Sequence, residues 1–246
     1  MAGHSKWANI RHRKGAQDAK RGKIFTKLIK EISVAVKASG PDADTNPRLR
    51  LALQNARGQN MPKDTIDRAI KKASGAGGEN YVETTFEGYG PDGVAVFVEC
   101  ATDNNTRTVS NVRSYFNKFN GNLGKDGCLQ FVFERKGVFL LHSGGIDEDD
   151  FTLDLIDAGA EDVEFNDLHV SIVSAMEDFG NIQKKLHELN IEPIEAGLQR
   201  IPSTMKEVAK GHFDTLMKLI DALEEDDDVQ KVYHNVEFDE SLLTSN

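Results

Sequence analysis

The texture of the chain changes at Ser74-Gly-Ala-Gly-Gly78. Before that stretch apolar residues recur at the three-to-four-residue spacing of helices, and after it they run or alternate as strands do. A chain divided in this way predicts a helical head followed by α+β units. Charge divides at the same place. Residues 1–78 hold 17 Lys and Arg against 6 Asp and Glu, a net of +11, while residues 79–246 hold 13 against 34, a net of −21. The whole-chain value of −10 conceals this polarity. Cationic charge gathered at one end suits a polyanionic partner, with the other end repelled so that only one face docks.

The same reading excludes several classes. Hydrophobic residues are 39% and charged residues 28%, a balance that supports a core and excludes wholesale disorder. No apolar run approaches the roughly 18 residues of a membrane span, since even Gly93-Val-Ala-Val-Phe-Val98 stops at Glu99. Cys100 and Cys128 are too few for a disulfide scaffold and read as reduced core residues. The histidines, His4, His12, His142, His169, His187, His212 and His234, show no zinc-ligand spacing. The glycine stretch lacks the Gly-Lys-Ser/Thr ending of a phosphate-binding loop and reads as a linker. Asp147–Asp150 and Glu224–Asp228 lack the ligand spacing of a calcium loop; the first reads as carboxylates complementing a helix dipole, the second as a solvated turn. No metal, no cofactor and no enzyme activity are expected.

The head opens with an acid-free arm carrying Lys6, Arg11, Arg13 and Lys14, with His12 and the single tryptophan, Trp7, among them. It has neither the apolar stretch of a secretory signal nor the serine content of a transit peptide. We expect the arm to order along a phosphate backbone, Trp7 either stacking on a base or anchoring the arm to the helices. Residues 18–38 then predict a helix with Phe25, Leu28, Ile29, Ile32 and Val36 on one face and Lys20, Lys23, Lys27, Lys30 and Lys37 on the other. Asn46-Pro47 is an N-cap and first-turn pair for a second helix, with Leu49, Leu53 and Ala56 inward and Arg48, Arg50 and Arg57 outward, ended by Gly58. Pro62 opens a third helix to Ala73, exposing Lys63, Arg68, Lys71 and Lys72. The short connection between the second and third helices is compatible with a helix-turn-helix. No Asn, Gln and Arg set is placed to read base edges rather than phosphates.

Beyond the linker, strands are expected at 82–88 and 94–101, joined by the turn Tyr89-Gly-Pro-Asp-Gly93, then a helix at 107–119 and a strand at 128–133. Next comes strand 137–142, helix 147–158, strands 162–165 and 169–174, helix 180–189 and strand 194–200, the β-α-β-β-α-β order of a ferredoxin-like unit. A helix at 207–223 and a strand at 229–236 supply what segment 79–134 lacks. The expected architecture is α+β: an N-terminal three-helix domain with its basic arm over 1–78, a discontinuous α+β domain of 79–134 and 201–246, and a ferredoxin-like domain inserted over 135–200.

Several long motifs now resemble one family. Ala2-Gly-His-Ser-Lys-Trp-Ala-Asn-Ile-Arg-His-Arg-Lys14, Lys23-Ile-Phe-Thr-Lys-Leu28, Asn60-Met-Pro-Lys-Asp-Thr-Ile-Asp-Arg-Ala-Ile70, Glu87-Gly-Tyr-Gly-Pro-Asp-Gly-Val-Ala95, Thr102-Asp-Asn-Asn-Thr-Arg-Thr108 and Asp226-Asp-Asp-Val-Gln-Lys-Val-Tyr-His-Asn235 resemble the YebC/PmpR family over essentially the whole chain. The resemblance implies a cytoplasmic protein with a helical N-terminal domain and two ferredoxin-like α+β domains. It also implies DNA-binding regulation of transcription; the alternative is a translation factor on structured ribosomal RNA, as in a related mitochondrial translational activator. Asn120-Gly-Asn-Leu-Gly124 departs from the pattern, with Asn where a second glycine is usual. The expected nucleic-acid contacts are Lys6, Trp7, Arg11, His12, Arg13 and Lys14 of the arm, Lys20, Lys23, Lys27 and Lys30 of the ridge, Arg48, Arg50 and Arg57 of the second helix and Lys63 and Arg68 of the third. The acidic domains are left to a protein partner, and no membrane is involved.

Overall fold

The structure is a computed structural model that describes residues 17–75 and 80–237, with side chains described from residue 22 onward. Three helices come first: α1 (Gln17–Ser39), α2 (Pro47–Gly58) and α3 (Lys63–Ser74). Strands β1 (Val82–Tyr89) and β2 (Ala95–Thr102), helix α4 (Asn105–Lys118) and strands β3 (Asn122–Leu123) and β4 (Phe133–His142) follow. The chain continues through α5 (Glu148–Asp157), β5 (Ala160–Phe165), β6 (His169–Ala175), α6 (Phe179–Glu188) and β7 (Glu195–Pro202), and closes with α7 (Lys210–Glu225) and β8 (Val229–His234). The fold class is α+β, as the sequence predicts, with N-terminal helices followed by two four-stranded antiparallel sheets. The described residues form two compact units, one of 17–34, 80–134 and 201–237, the other of 35–75 and 135–200.

In the first unit the sheet order is β3-β1-β2-β8. β1 and β2 pair antiparallel from Val82↔Thr102 to Tyr89↔Ala95. Their connection is a tight turn over Pro91–Gly93, in which Asp92 (φ +57°) and Gly93 (φ +71°) take the left-handed conformation that aspartate tolerates and glycine adopts freely. β2 reads as a continuous apolar run because both its faces are covered. Val96, Val98 and Cys100 pack with Val112 and Phe116 of α4 and with Phe213, Leu216, Leu219, Ile220 and Leu223 of α7. Ala95 and Phe97 pack on the other side with Leu129 and Phe133, the two phenyl rings edge to face at 6.2 Å. The alternation is the two-residue period of a strand. This unit places two helices on one sheet with chain order ββαβ and then αβ.

The expected strand at 128–133 is a correction: residues 127–132 form turns, and β4 begins at Phe133. The buried Glu87 carboxylate organises the loop, accepting from the main-chain N–H of Gly127 (3.0 Å) and of Leu129 (2.6 Å). Leu129 is thereby drawn into the core, and its neighbour Cys128 is exposed rather than a core residue as expected. Cys100 is buried as expected. Burial, then the charges of Asp226 and Asp228, push its thiol up to about 12, so it stays protonated and inert. Asn120 sits at φ +57°, a conformation that Asn enters at little cost.

In the second unit the sheet order is β5-β6-β4-β7, and the chain order β4-α5-β5-β6-α6-β7 is the ferredoxin-like arrangement. Phe139, Leu141, Val170 and Ile172 pack with Phe151 and Leu155 of α5 and Ile182 and Leu186 of α6. Helix α2 is held by its polar residues. Asn46, buried, caps it by accepting from Leu49 N–H (3.0 Å) while its amide donates to the carbonyls of Ala35 (2.7 Å) and Gly40 (2.8 Å). Asn55 pairs with both main-chain groups of Ala196, each bond 2.8 Å.

Gly58 lies so close to the carbonyl of Ile194 that an added Cβ would overlap it, whereas Gly144 has open space around it. Gly58→Ala should therefore destabilise the protein by about 2 kcal/mol or more in urea unfolding, with Gly144→Ala within about 0.5 kcal/mol of the parent.

Candidate functional site

Two motifs quoted for the family resemblance, Thr102–Thr108 and the run opening at Asp226, meet in the first unit. Thr102 ends β2; its hydroxyl accepts from Asn104 N–H (2.9 Å), and Asn104 caps α4 by accepting from Arg107 N–H (3.1 Å). This turn aims Arg107 and Thr108 at the loop between α7 and β8. There Asp228 is buried, its side chain 4% exposed. Its Oδ2 accepts from Arg107 Nη2 (2.6 Å) and Nε (3.0 Å) and from the Thr108 hydroxyl (3.0 Å). Its Oδ1 accepts from Lys30 Nζ of α1 (3.0 Å).

Lys30 is equally occupied. Besides Asp228, its ammonium donates to the carbonyls of Asp227 (2.7 Å) and Ala101 (3.3 Å) and lies 5.0 Å from the centre of the Tyr81 ring. Three donors meet three acceptors, which is what a buried cation requires. Lys23, about two turns earlier on α1, donates to the Glu225 carbonyl. Arg107 Nη2 also reaches Asp103 (2.7 Å). Asp226 accepts from Asn111 (2.9 Å), from the Tyr115 hydroxyl (3.1 Å) and, on its other oxygen, from Asp228 N–H (2.9 Å). The network borders a polar cleft of about 480 Å³ whose lining includes Thr26, Tyr81, Asp103, Arg107, Asn111 and Asp227.

Burial alone would raise the Asp228 carboxyl, but the hydrogen bonds from Arg107, Lys30 and Thr108 outweigh it and hold the group below the usual carboxylate range. The Asp228 and Asp103 carboxylates raise Arg107 in turn. A carboxylate so stabilised is a weak base, and its bonds to Lys30, Arg107 and Thr108 clamp separate chain segments together. No helix among the described residues is long and apolar enough to cross a membrane, and none of their His, Cys, Asp or Glu side chains groups in threes to hold a metal.

The structure treats the expected phosphate contacts unequally. Lys6, Trp7, Arg11, His12, Arg13, Lys14 and the side chain of Lys20 lie outside what is described. The α1 ridge needs correction at Lys30, which is buried and committed to Asp228 because the face opposite the apolar stripe is itself covered. Lys23 and Lys27 are half-buried. Arg48 is half-buried too, while Arg50, Arg57, Lys63 and Arg68 are exposed, as are Lys71 and Lys72. Sequence reasoning passed over Asp228, Arg107, Thr102 and Thr108. The available signal was a run of polar residues, Thr102–Thr108, directly after an apolar strand, and an acidic run ending against Val229.

The family model for the TACO1/YebC second and third domain matches residues 81–236, and the model for the TACO1/YebC protein N-terminal domain matches residues 5–76. The chain belongs to the TACO1/YebC family. Relatives named probable transcriptional regulatory protein occur in Amoebophilus asiaticus, 54% identical over 96% of this chain and 98% of the relative, and in Syntrophotalea carbinolica, 53% identical over 99% and 98%. The crystal structure of a conserved hypothetical protein from Aquifex aeolicus superposes with a TM-score of 0.86 at 40% identity, covering 98% of this chain and all of that one. The names carried by these TACO1/YebC relatives describe regulation rather than catalysis.

For this TACO1/YebC member, Asp228→Asn should cost about 3–5 kcal/mol, because it leaves the buried Lys30 ammonium without its counter-charge. The folded carboxyl titrates lower than the unfolded one. Its contribution is therefore complete above the unfolded value of about 3.9 and disappears as pH falls through the folded-state value. Thermal melts taken from neutral pH downward should show a smaller acid-side loss of stability in Asp228→Asn than in the parent.

Proposed function

We propose that the chain is a nucleic-acid-binding regulator of gene expression that holds phosphates with its basic helices and arm. The observation that carries this reading is the exposed set Arg50 and Arg57 on α2 and Lys63, Arg68 and Lys71 on α3. Arg50 and Arg57 lie seven residues, about two turns, apart on one side of a helix that contains no acidic residue. Guanidinium forks in such an array suit phosphate oxygens. The name of the relatives makes DNA, and so transcription, the first choice of polymer.

A second reading, structured RNA of the ribosome, draws on the fate of the α2 amides. Asn55 is spent on Ala196 through both ends of its amide, and the Gln54 carbonyl accepts from Gln183 at 3.4 Å, so Asn55 is not free to read base edges. Contacts confined to phosphate and shape serve A-form RNA as well as duplex DNA.

Affinity for either polymer should fall by about 10³ to 10⁵ between about 50 and 200 mM salt if six to ten phosphate contacts form. R50A/R57A/R68A and R11A/R13A/K14A should each weaken binding to all sequences alike in a filter-binding or anisotropy assay. Affinity indifferent to salt, or a loss confined to one operator, would defeat the reading. Crosslinking in cells followed by sequencing of the attached nucleic acid separates promoter DNA from ribosomal RNA.

A further inference from the structure

Helix α5 breaks two rules of surface-helix design at once. Its sequence, Glu-Asp-Asp-Phe-Thr-Leu-Asp-Leu-Ile-Asp, holds five acids and no base. Asp147 caps it by accepting from Asp150 N–H (3.2 Å), and carboxylates in the first turn complement the dipole there. Asp157 in the last turn opposes that dipole, and no basic residue offsets it within the helix. Lys185 of α6 bonds Asp154 (2.8 Å) and also feels Asp157, leaving Glu148, Asp149 and Asp150 exposed.

The second departure is apolar. Phe151 and Leu155 point inward and are buried, yet on the opposite side of the wheel Leu153 is 63% exposed and Ile156 54% exposed. At about 100° per residue these two share one outward stripe with Asp149, flanked by Asp150 and Asp157. Neither the last-turn carboxylate nor the exposed aliphatic pair serves the helix that carries it. Local choices that stabilise nothing locally mark a contact surface.

We infer that the outer face of α5 docks a cationic amphipathic segment of a partner protein, its aliphatic side chains covering Leu153 and Ile156 and its Lys or Arg residues meeting Glu148, Asp149, Asp150 and Asp157. Charge selects the occupant. A nucleic acid is repelled, and a second copy apposed through the same face sets carboxylates against carboxylates. The face is small, which places the contact in the weak, transient class. This inference is independent of the phosphate-binding reading.

The test uses the full chain and a fluorescein-labelled synthetic peptide with leucine on one helical stripe and lysine elsewhere, beside a scrambled peptide of the same composition. The striped peptide should bind more tightly than the scrambled one. L153S/I156S and D149N/D150N/D157N should each weaken it by about tenfold or more, with melting temperature and nucleic-acid affinity unchanged in L153S/I156S. Equal binding of both peptides, or unaltered binding by L153S/I156S, overturns the inference. So does a concentration-dependent dimer in sedimentation that L153S/I156S abolishes, which would assign the face to a second copy.

Discussion

One buried carboxylate joins the pieces of the discontinuous unit. Asp228 receives Lys30 from α1 and Arg107 and Thr108 from α4, so residues separated by up to 198 positions end on the same two oxygens. A desolvated charge is tolerable only where it is paired and its remaining lone pairs are filled. That condition is met here by side chains that all precede residue 135, while the carboxylate they hold follows residue 200. Helix α7, which precedes Asp228, contributes Phe213, Leu216, Leu219, Ile220 and Leu223 to the core over β2, so the segment that closes the ion-pair network also closes the hydrophobic layer.

That interaction changes what the charge polarity means. The chain is cationic in its first third and anionic afterwards, but part of the two charges is spent internally: Lys30 on Asp228, and Lys23 on a carbonyl of the same acidic turn. Among the described residues before the glycine linker, the exposed cations fall mainly on α2 and α3, and α2 turns Leu51 and Asn55 toward the second unit's sheet. The polyanion contact proposed above therefore rests on α2 and α3 rather than on an unbroken lysine ridge along α1.

Much of the fold was legible because its elements are locally consistent. The apolar period of α1, the Asn46-Pro47 start of α2, the Gly-Pro-Asp-Gly reversal between β1 and β2 and the β-α-β-β-α-β order after Phe133 each follow from residue type and spacing. The errors arose where one distant side chain overrides local pattern. Cys128-Leu-Gln-Phe-Val-Phe133 has the composition of a strand, yet Glu87 captures the N–H of Leu129 within it and of Gly127 just before it, and the segment turns. The candidate site was legible only as motifs: the sequence contains Thr102–Thr108 and Asp226–Asp228, but nothing in either shows that they bond each other and share Lys30 of α1.

What the sequence alone determined is therefore what depends on periodicity and chain order: most of the helices and strands, the α+β class, and the separation of basic from acidic residues. Tertiary structure decided which charges remain available. A helical wheel shows that Lys30 lies opposite an apolar stripe, but only the packing of another chain segment over that face makes it a buried ion-pair partner. Desolvation depends on what covers a side chain, and residues remote in sequence supply that cover.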